Sequence, residues 1–131
     1  MEDEEIEFDL KKPEIQLKKK RNLIKREKKR LKKLFEELDE KNLKVAENLI
    51  ENASFMSVQL DELKEHITIF GVKESYMNGS NLFGYKESVE SKTYNTLIKN
   101  YMNIIKQLND LMPTKSKINE DDEFEKFNGI L

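Results

Sequence analysis

The strongest structural signal in this chain is the segment AENLIENASFMSVQLDELKEHITIF, residues 46–70. Its apolar residues recur at alternating spacings of three and four, which is the pattern of an amphipathic helix that packs against another helix along one seam. The seam comprises Ala46, Leu49, Ala53, Met56, Leu60, Leu63, Ile67 and Phe70. Gly71 follows at the position where a helix C-cap belongs. We therefore predict a helix from about residue 42 to Phe70.

Another helix is predicted farther along the chain, over residues 91–112, with Ser91 as its N-cap and Pro113 as its stop. Its seam has the same spacing and consists of Tyr94, Leu97, Tyr101, Ile104, Leu108 and Leu111. A second apolar stripe lies beside it and consists of Ile98, Met102, Ile105 and Met112. Two stripes are wider than one partner helix covers, so we predict that the second one is an interface between copies of the chain.

The connection between these two helices, residues 71–90, is long for a compact domain. It contains the turn dipeptide Asn78-Gly79, and it forms either a small hairpin or a functional loop. Beyond Pro113, residues 114–131 are polar and acidic, and we expect them to form a flexible tail.

The N-terminal part of the chain is sorted by charge. Residues 1–12 begin with six acids in ten positions and are expected to be disordered, whereas residues 11–33 carry thirteen Lys or Arg against two Glu. Pro13 suits the first position of a helix, and no further Gly or Pro occurs up to residue 40. We predict one basic helix over residues 13–40, packed from about Leu31 onward and projecting away from the fold before it. The expected fold class is therefore all-α: this basic helix followed by an antiparallel helical hairpin, residues 41–113, with a long connecting loop.

Three interpretations of the basic helix differ in what they require. A solvated helix is the simplest interpretation, but like charges at helical spacing repel one another and destabilise the helix, and solvation alone gives no compensating contact. A membrane-surface helix needs a bulky apolar face, which the three aliphatic residues between positions 18 and 33 do not supply. Nucleic acid fits best, because many cations on a helix can each neutralise a phosphate, although composition does not separate DNA from RNA. The candidate contacts are Lys18, Lys19, Lys20, Arg21, Lys25, Arg26, Lys28, Lys29, Arg30, Lys32 and Lys33.

Catalytic and metal-binding chemistry lacks its usual residues. The chain has no Cys and one His, His66, which argues against thiolate or multi-histidine metal sites and against a serine triad. No G-x-x-x-x-G-K-[ST] loop occurs, and the acids at 120–125 lack the spacing and the glycine of a calcium loop. We expect no enzyme activity, cofactor, metal or small-molecule substrate. The acidic N-terminus and the lack of an apolar run of about 20 residues predict a soluble intracellular protein.

Four segments, in this order, resemble the small terminase subunit of tailed double-stranded DNA phages, in the type common among phages of Gram-positive bacteria. They are ASFMSVQLDEL (53–63), NGSNLFG (78–84), KTYNTLIKNYMNIIKQLNDLMP (92–113) and DDEFEKF (121–127). The basic helix fits the family only in charge and helicity. The resemblance implies a non-enzymatic subunit in the cytoplasm of a bacterial host, which binds double-stranded viral DNA and assembles into a closed ring of about eight to ten copies.

The resemblance also implies a partner, the large terminase subunit that carries the ATPase and nuclease. The family's acidic C-terminal tail corresponds to Asp121, Asp122, Phe124 and Phe127, which we expect to contact that subunit through aromatic anchors and acidic steering. Many family members carry an N-terminal helix-turn-helix, which residues 13–40 lack, so we expect phosphate contact more than base reading.

Two alternatives remain open at the level of sequence. A helical adaptor or scaffold would use the same basic helix to bind an acidic protein. In addition, residues 1–10 could fold back on the basic helix and compete with nucleic acid.

Overall fold

A computed structural model describes residues 2–79 and 82–113, with side chains from Pro13 onward. The described chain consists of three helices and one two-stranded antiparallel sheet. Their order is α1 (Glu2–Leu34), α2 (Glu40–Phe70), β1 (Lys73–Asn78), β2 (Leu82–Glu87) and α3 (Val89–Leu111). The predicted helical architecture is confirmed, and of the two forms expected for residues 71–90 the chain adopts the hairpin. The fold is therefore helical with a β-hairpin, and not purely α.

Helix α2 is central and runs antiparallel to both neighbours. The Asn42 side chain near its start donates a hydrogen bond to the carbonyl of Leu111 at the end of α3, at 3.3 Å. Glu62, farther along α2, forms an ion pair with Lys20 of α1 at 3.0 Å. Helix α1 therefore lies along α2 at least as far back as Lys20. The prediction that it projects away before Leu31 is wrong, because α2 offers carboxylates to the basic side chains there.

The core lies where the three helices meet. It is built by Leu31, Phe35, Leu38, Ala46, Ile50, Ala53, Leu60, Tyr101, Ile105, Leu108 and Met112. The predicted α2 seam supplies Ala46, Ala53 and Leu60, but Ile50 lies outside that seam and is buried as well. The reason is that α2 packs against a helix on each of two sides, whereas a single seam serves one partner. Both small seam residues allow close helix approach.

The observed helix ends differ from the prediction at both ends of α1 and at the start of α3. Helix α1 begins at Glu2 and includes Pro13, because the acidic residues before Pro13 are helix formers that favour the positive end of the helix dipole. It ends at Leu34, and the following turn buries Phe35 and Leu38. Helix α2 then begins with a new cap.

Two side-chain caps mark the new helix starts. Asp39 caps α2 by accepting a hydrogen bond from the Asn42 backbone N–H at 2.8 Å. Ser88, and not Ser91, caps α3, because the Ser88 hydroxyl accepts from the Ser91 N–H at 3.1 Å. Gly71 ends α2 with φ of 80°, as a glycine C-cap can, so its prediction is confirmed.

The hairpin extends from the ends of α2 and α3. Its strands pair in one register from Lys73 opposite Glu87 to Asn78 opposite Leu82. The backbone N–H of Ser88 donates to the carbonyl of Val72 at 2.9 Å and closes the base of the hairpin. Two residues, Gly71 and Val72, join α2 to the hairpin, and Ser88 alone joins the hairpin to α3.

Candidate nucleic-acid interface

Most of the predicted DNA-binding side chains are exposed on α1. Eight of the eleven are exposed: Lys18, Lys19, Arg21, Lys25, Arg26, Lys29, Lys32 and Lys33. The other three, Lys20, Lys28 and Arg30, are half-buried. The basic helix is therefore packed along one side only, and the majority of its cations face solvent.

Helical periodicity places four of the exposed cations in one stripe along α1. Leu31 is fully buried against the core, which fixes the inner side of α1. At 100° per residue, Lys18, Lys25, Lys29 and Lys32 lie about 100° to 160° around the helix from Leu31, all on the same flank of α1. We call these four residues the outer basic face. They span about 21 Å along the helix axis at 1.5 Å per residue, so they can meet several phosphates of one strand at once.

Two of the eleven cations are engaged by described carboxylates. Lys20 pairs with Glu62 across the α1–α2 contact, with both side chains 40% exposed. Arg30 forms a bidentate contact with Glu27, one turn earlier on α1. The hydrogen bond to Glu27 raises the pKa of Arg30, so the positive charge of Arg30 already has a carboxylate partner within the chain. Lys20 and Arg30 are consequently the least suited of the set to bind phosphate.

Arg30 belongs to a polar cluster at the centre of the helical packing. Tyr101 of α3 is fully buried, and its hydroxyl lies against Arg30 of α1 and Ser57 of α2. Burial raises the pKa of Tyr101, and the nearby Glu27 carboxylate raises it further. This cluster ties α1 to both other helices, which gives Arg30 a structural role.

A groove of about 310 Å³ runs between α1 and α2 beside this cluster. Its α1 wall carries Arg26 and Arg30, and its α2 wall carries Asp61, Glu62 and Glu65. Burial raises the pKa of Asp61. The inner side of α1 thus meets acids, while the outer basic face lies away from them.

The predicted oligomer stripe does not stand as a free surface. Ile105 and Met112 are buried in the core of the single chain, and Ile98 and Met102 pack against that core. The structural reason is that α1 and the Phe35–Leu38 turn supply apolar surface that the sequence pattern did not assign. Those two buried residues cannot contact a second copy while the fold is intact.

Other predicted features fall elsewhere. Asp121, Asp122, Phe124 and Phe127 lie outside the described residues, as does the whole tail at 114–131. His66 is half-buried, with its Nε2 atom 3.7 Å from the Glu90 carboxylate. Residues 2–10 belong to the same continuous helix as residues 18–33, so they do not adopt the fold-back on the basic helix that the sequence left open.

Residues 2–79 and 82–113 contain no group of three or more His, Asp or Glu side chains placed to hold a metal ion. None of the helices within those ranges combines the length and apolar content that crossing a bilayer requires.

The β-hairpin carries an exposed apolar surface that the sequence pattern did not predict. Met77, Phe83 and Tyr85 are strongly exposed there. The Asn78-Gly79 dipeptide predicts a hairpin, but a two-residue loop there would set a different register. The observed register, with Met77 opposite Phe83 and Asn78 opposite Leu82, is what places these side chains on one face, so the sequence alone did not reveal this surface.

Searches against models of known protein families, against curated proteins and against solved structures each found no match to this chain.

Proposed function

We propose that this protein is a non-catalytic small terminase subunit. It binds viral double-stranded DNA in the cytoplasm of a bacterial host, and it recruits and regulates the large ATPase–nuclease subunit during genome packaging. It acts as a homo-oligomer, a ring of about eight to ten copies. The particular assignment to packaging rests on the resemblance of residues 53–63, 78–84, 92–113 and 121–127.

The observation that carries the DNA-binding part is the outer basic face. Lys18, Lys25, Lys29 and Lys32 are exposed in one stripe along a flank of α1 that faces away from the buried Leu31. Cations arranged in this way can approach a duplex without disturbing the core, and each phosphate they neutralise releases a counterion. Phosphate contact of this kind positions the protein and does not require base reading.

The test is duplex binding as a function of salt. The variant carries Lys→Gln at all four positions of the outer basic face, and the matched control carries Lys→Gln at Lys92, Lys99 and Lys106 of α3. We expect wild type to bind with a steep negative log–log salt slope and the variant to lose about three units of that slope. The control should bind as wild type does. Equal binding by wild type and the α1 variant would contradict the proposal, and loss in the control alone would move the site to α3.

A second candidate function is a helical adaptor whose basic helix binds an acidic protein. The observation that favours it is the Lys20–Glu62 pair, in which α1 already binds a carboxylate on a neighbouring helix. The adaptor function would replace the DNA-binding function under two results. Wild type would show no salt-dependent duplex binding but would bind a polyglutamate probe, and the α1 variant would not bind that probe.

A further inference from the structure

The β-hairpin presents an apolar face that no described element covers. Met77 and Phe83 are direct cross-strand partners, and Tyr85 lies two residues from Phe83 along β2, opposite Ser75. Cross-strand partners point to the same side and side chains alternate along a strand, so these three share one side. Their exposures are 64%, 75% and 76%. We call Met77, Phe83 and Tyr85 the apolar hairpin face.

The opposite side of the hairpin is already in use. The Tyr76 ring lies over Gly84, so close that a Cβ built on Gly84 would come within 2.7 Å of it. The Lys86 and Glu74 side chains form an ion pair at 3.3 Å on that side. On that side the Tyr76 ring and the Lys86–Glu74 pair make contacts within the chain. Leu82 is the one strongly exposed large apolar side chain among the described residues of that side. The apolar hairpin face has three such side chains.

The size of the uncovered face argues for a protein partner. Three large side chains at these exposures present on the order of 400 Å² of apolar-rich surface, which on a soluble protein usually marks an interaction site. A two-stranded hairpin is also only marginally stable by itself in water, so additional strands would stabilise it.

The sheet edges indicate which partner fits. The described sheet has two strands, so the outer edge of each strand has no strand beside it within the described chain. β1 begins with Lys73 and Glu74, and β2 ends with Lys86 and Glu87. If β2 of one copy pairs with β1 of the next in the register seen inside the chain, Lys86 meets Glu74 and Glu87 meets Lys73. The charged residues on the outer edge of β2 are thus complementary to those on the outer edge of β1 in a second copy of the chain.

We propose that the hairpin is the self-association surface, with β2 of one copy pairing antiparallel to β1 of the next and the apolar hairpin faces forming one continuous layer. A head-to-tail contact of this kind repeats around a closed ring when its rotation allows. This inference deepens the proposed function and rests on it for the expectation of a multimer. It replaces the α3 stripe, whose Ile105 and Met112 are buried within the chain.

The first test measures particle mass in solution by light scattering. The variant Met77→Thr/Phe83→Thr keeps residues that favour strands while removing apolar surface. Leu82→Thr is the matched control, because Leu82 is 66% exposed on the same strand but on the Tyr76 side. Wild type and control should be multimers of equal mass, and the double variant should fall several-fold in mass. Far-UV circular dichroism should show unchanged helicity in all three.

The second test detects the contact directly and does not rely on loss of assembly. The chain has no cysteine, so single cysteines can be introduced at Glu74 and Lys86 in separate preparations. After mixing, subunit exchange and mild oxidation, the β2-to-β1 contact should yield a disulfide between an E74C chain and a K86C chain. Neither preparation alone should crosslink to the same extent, because cross-strand Cβ atoms lie close only in that pairing.

The outcomes separate this inference from the function. A double variant with the mass of wild type, a wild-type monomer, or no mixed disulfide would overturn the hairpin contact. In each case, salt-dependent duplex binding by wild type would leave the DNA-binding proposal standing. Conversely, loss of assembly in the double variant with no duplex binding by wild type would support the hairpin contact and overturn the proposed function.

Discussion

Tyr101 is the residue through which the three helices are joined. It is fully buried on α3, and its hydroxyl lies against Arg30 of α1 and Ser57 of α2. Removing the hydroxyl leaves Arg30 and Ser57 with less satisfied polar groups, while the ring still fills its space. A polar contact of this kind contributes about 1 kcal/mol to the free energy of unfolding.

We therefore expect Tyr101→Phe to lower the free energy of unfolding by about 1 kcal/mol at pH 7, as measured by urea titration. Burial raises the folded-state pKa of Tyr101 above its ordinary value of 10.0, so this contribution is complete below pH 10 and is lost as the pH rises through the folded pKa. The difference between wild type and variant should then shrink by up to about 1.4 kcal/mol per pH unit. Tyr94→Phe on the same helix controls for loss of a hydroxyl. A difference that stays constant from pH 8 to 11 would contradict the assignment.

The residues of this cluster differ in how well the sequence predicts their structural role. Tyr101 was predicted to face the core because its spacing along α3 is regular, and residues at that spacing lie on one face of a helix. Arg30 was grouped with the DNA-binding cations because it differs in no sequence feature from Lys29 or Lys32. Its contact with Tyr101 joins positions 71 residues apart, which no local pattern encodes.

At the scale of elements, α1 divides its charge between two tasks. Its inner side is held by the buried Leu31 and by ion pairing between Lys20 and Glu62, while its outer basic face stays exposed. The Lys20–Glu62 pair is partly solvated, and pairs of this kind add little stability. Under the proposed function, the Glu62 carboxylate would compete with a DNA phosphate for the same ammonium group.

We expect Glu62→Gln to tighten duplex binding about two- to fivefold at low salt, because it frees Lys20 and removes a negative charge beside α1. The gain should fade as salt rises, since the interaction is screened. Glu51→Gln, an exposed acid on the same helix, is the control for net charge alone. The measurement is fluorescence anisotropy with a labelled duplex. An equal gain from both variants would show that net charge, and not the Lys20 contact, is responsible.

The elements themselves were predictable where periodicity was strong. Helices α2 and α3 follow from their seams, and their ends were placed within about two or three residues. The break between α1 and α2 was predicted near residue 41, whereas α1 already ends at Leu34, because the break contains neither Gly nor Pro to mark it. The signal there is Asp39 followed three residues later by Asn42, whose backbone N–H it caps, and that pattern is weak beside a run of helix formers.

At the scale of the whole molecule, the separation of charge matters more than the net charge of −2. The thirteen Lys or Arg at residues 11–33 are balanced by acids elsewhere, so each copy is a nearly neutral body that carries a basic rod. Assembly of several copies would gather several outer basic faces on one particle. Linked sites bind a continuous ligand more tightly than each does alone, because later contacts become intramolecular.

This coupling gives a prediction that joins the two surfaces. The Met77→Thr/Phe83→Thr variant leaves every basic residue of α1 in place, yet it should bind a long duplex about 10²-fold more weakly than wild type at equal chain concentration. Its salt slope should fall toward the value for a single outer basic face. On a short duplex that reaches only one copy, wild type and variant should bind alike, and Leu82→Thr should follow wild type on both. Equal weakening on short and long duplexes would instead mean that the hairpin contacts DNA directly, so that assembly is not the source of the tighter binding.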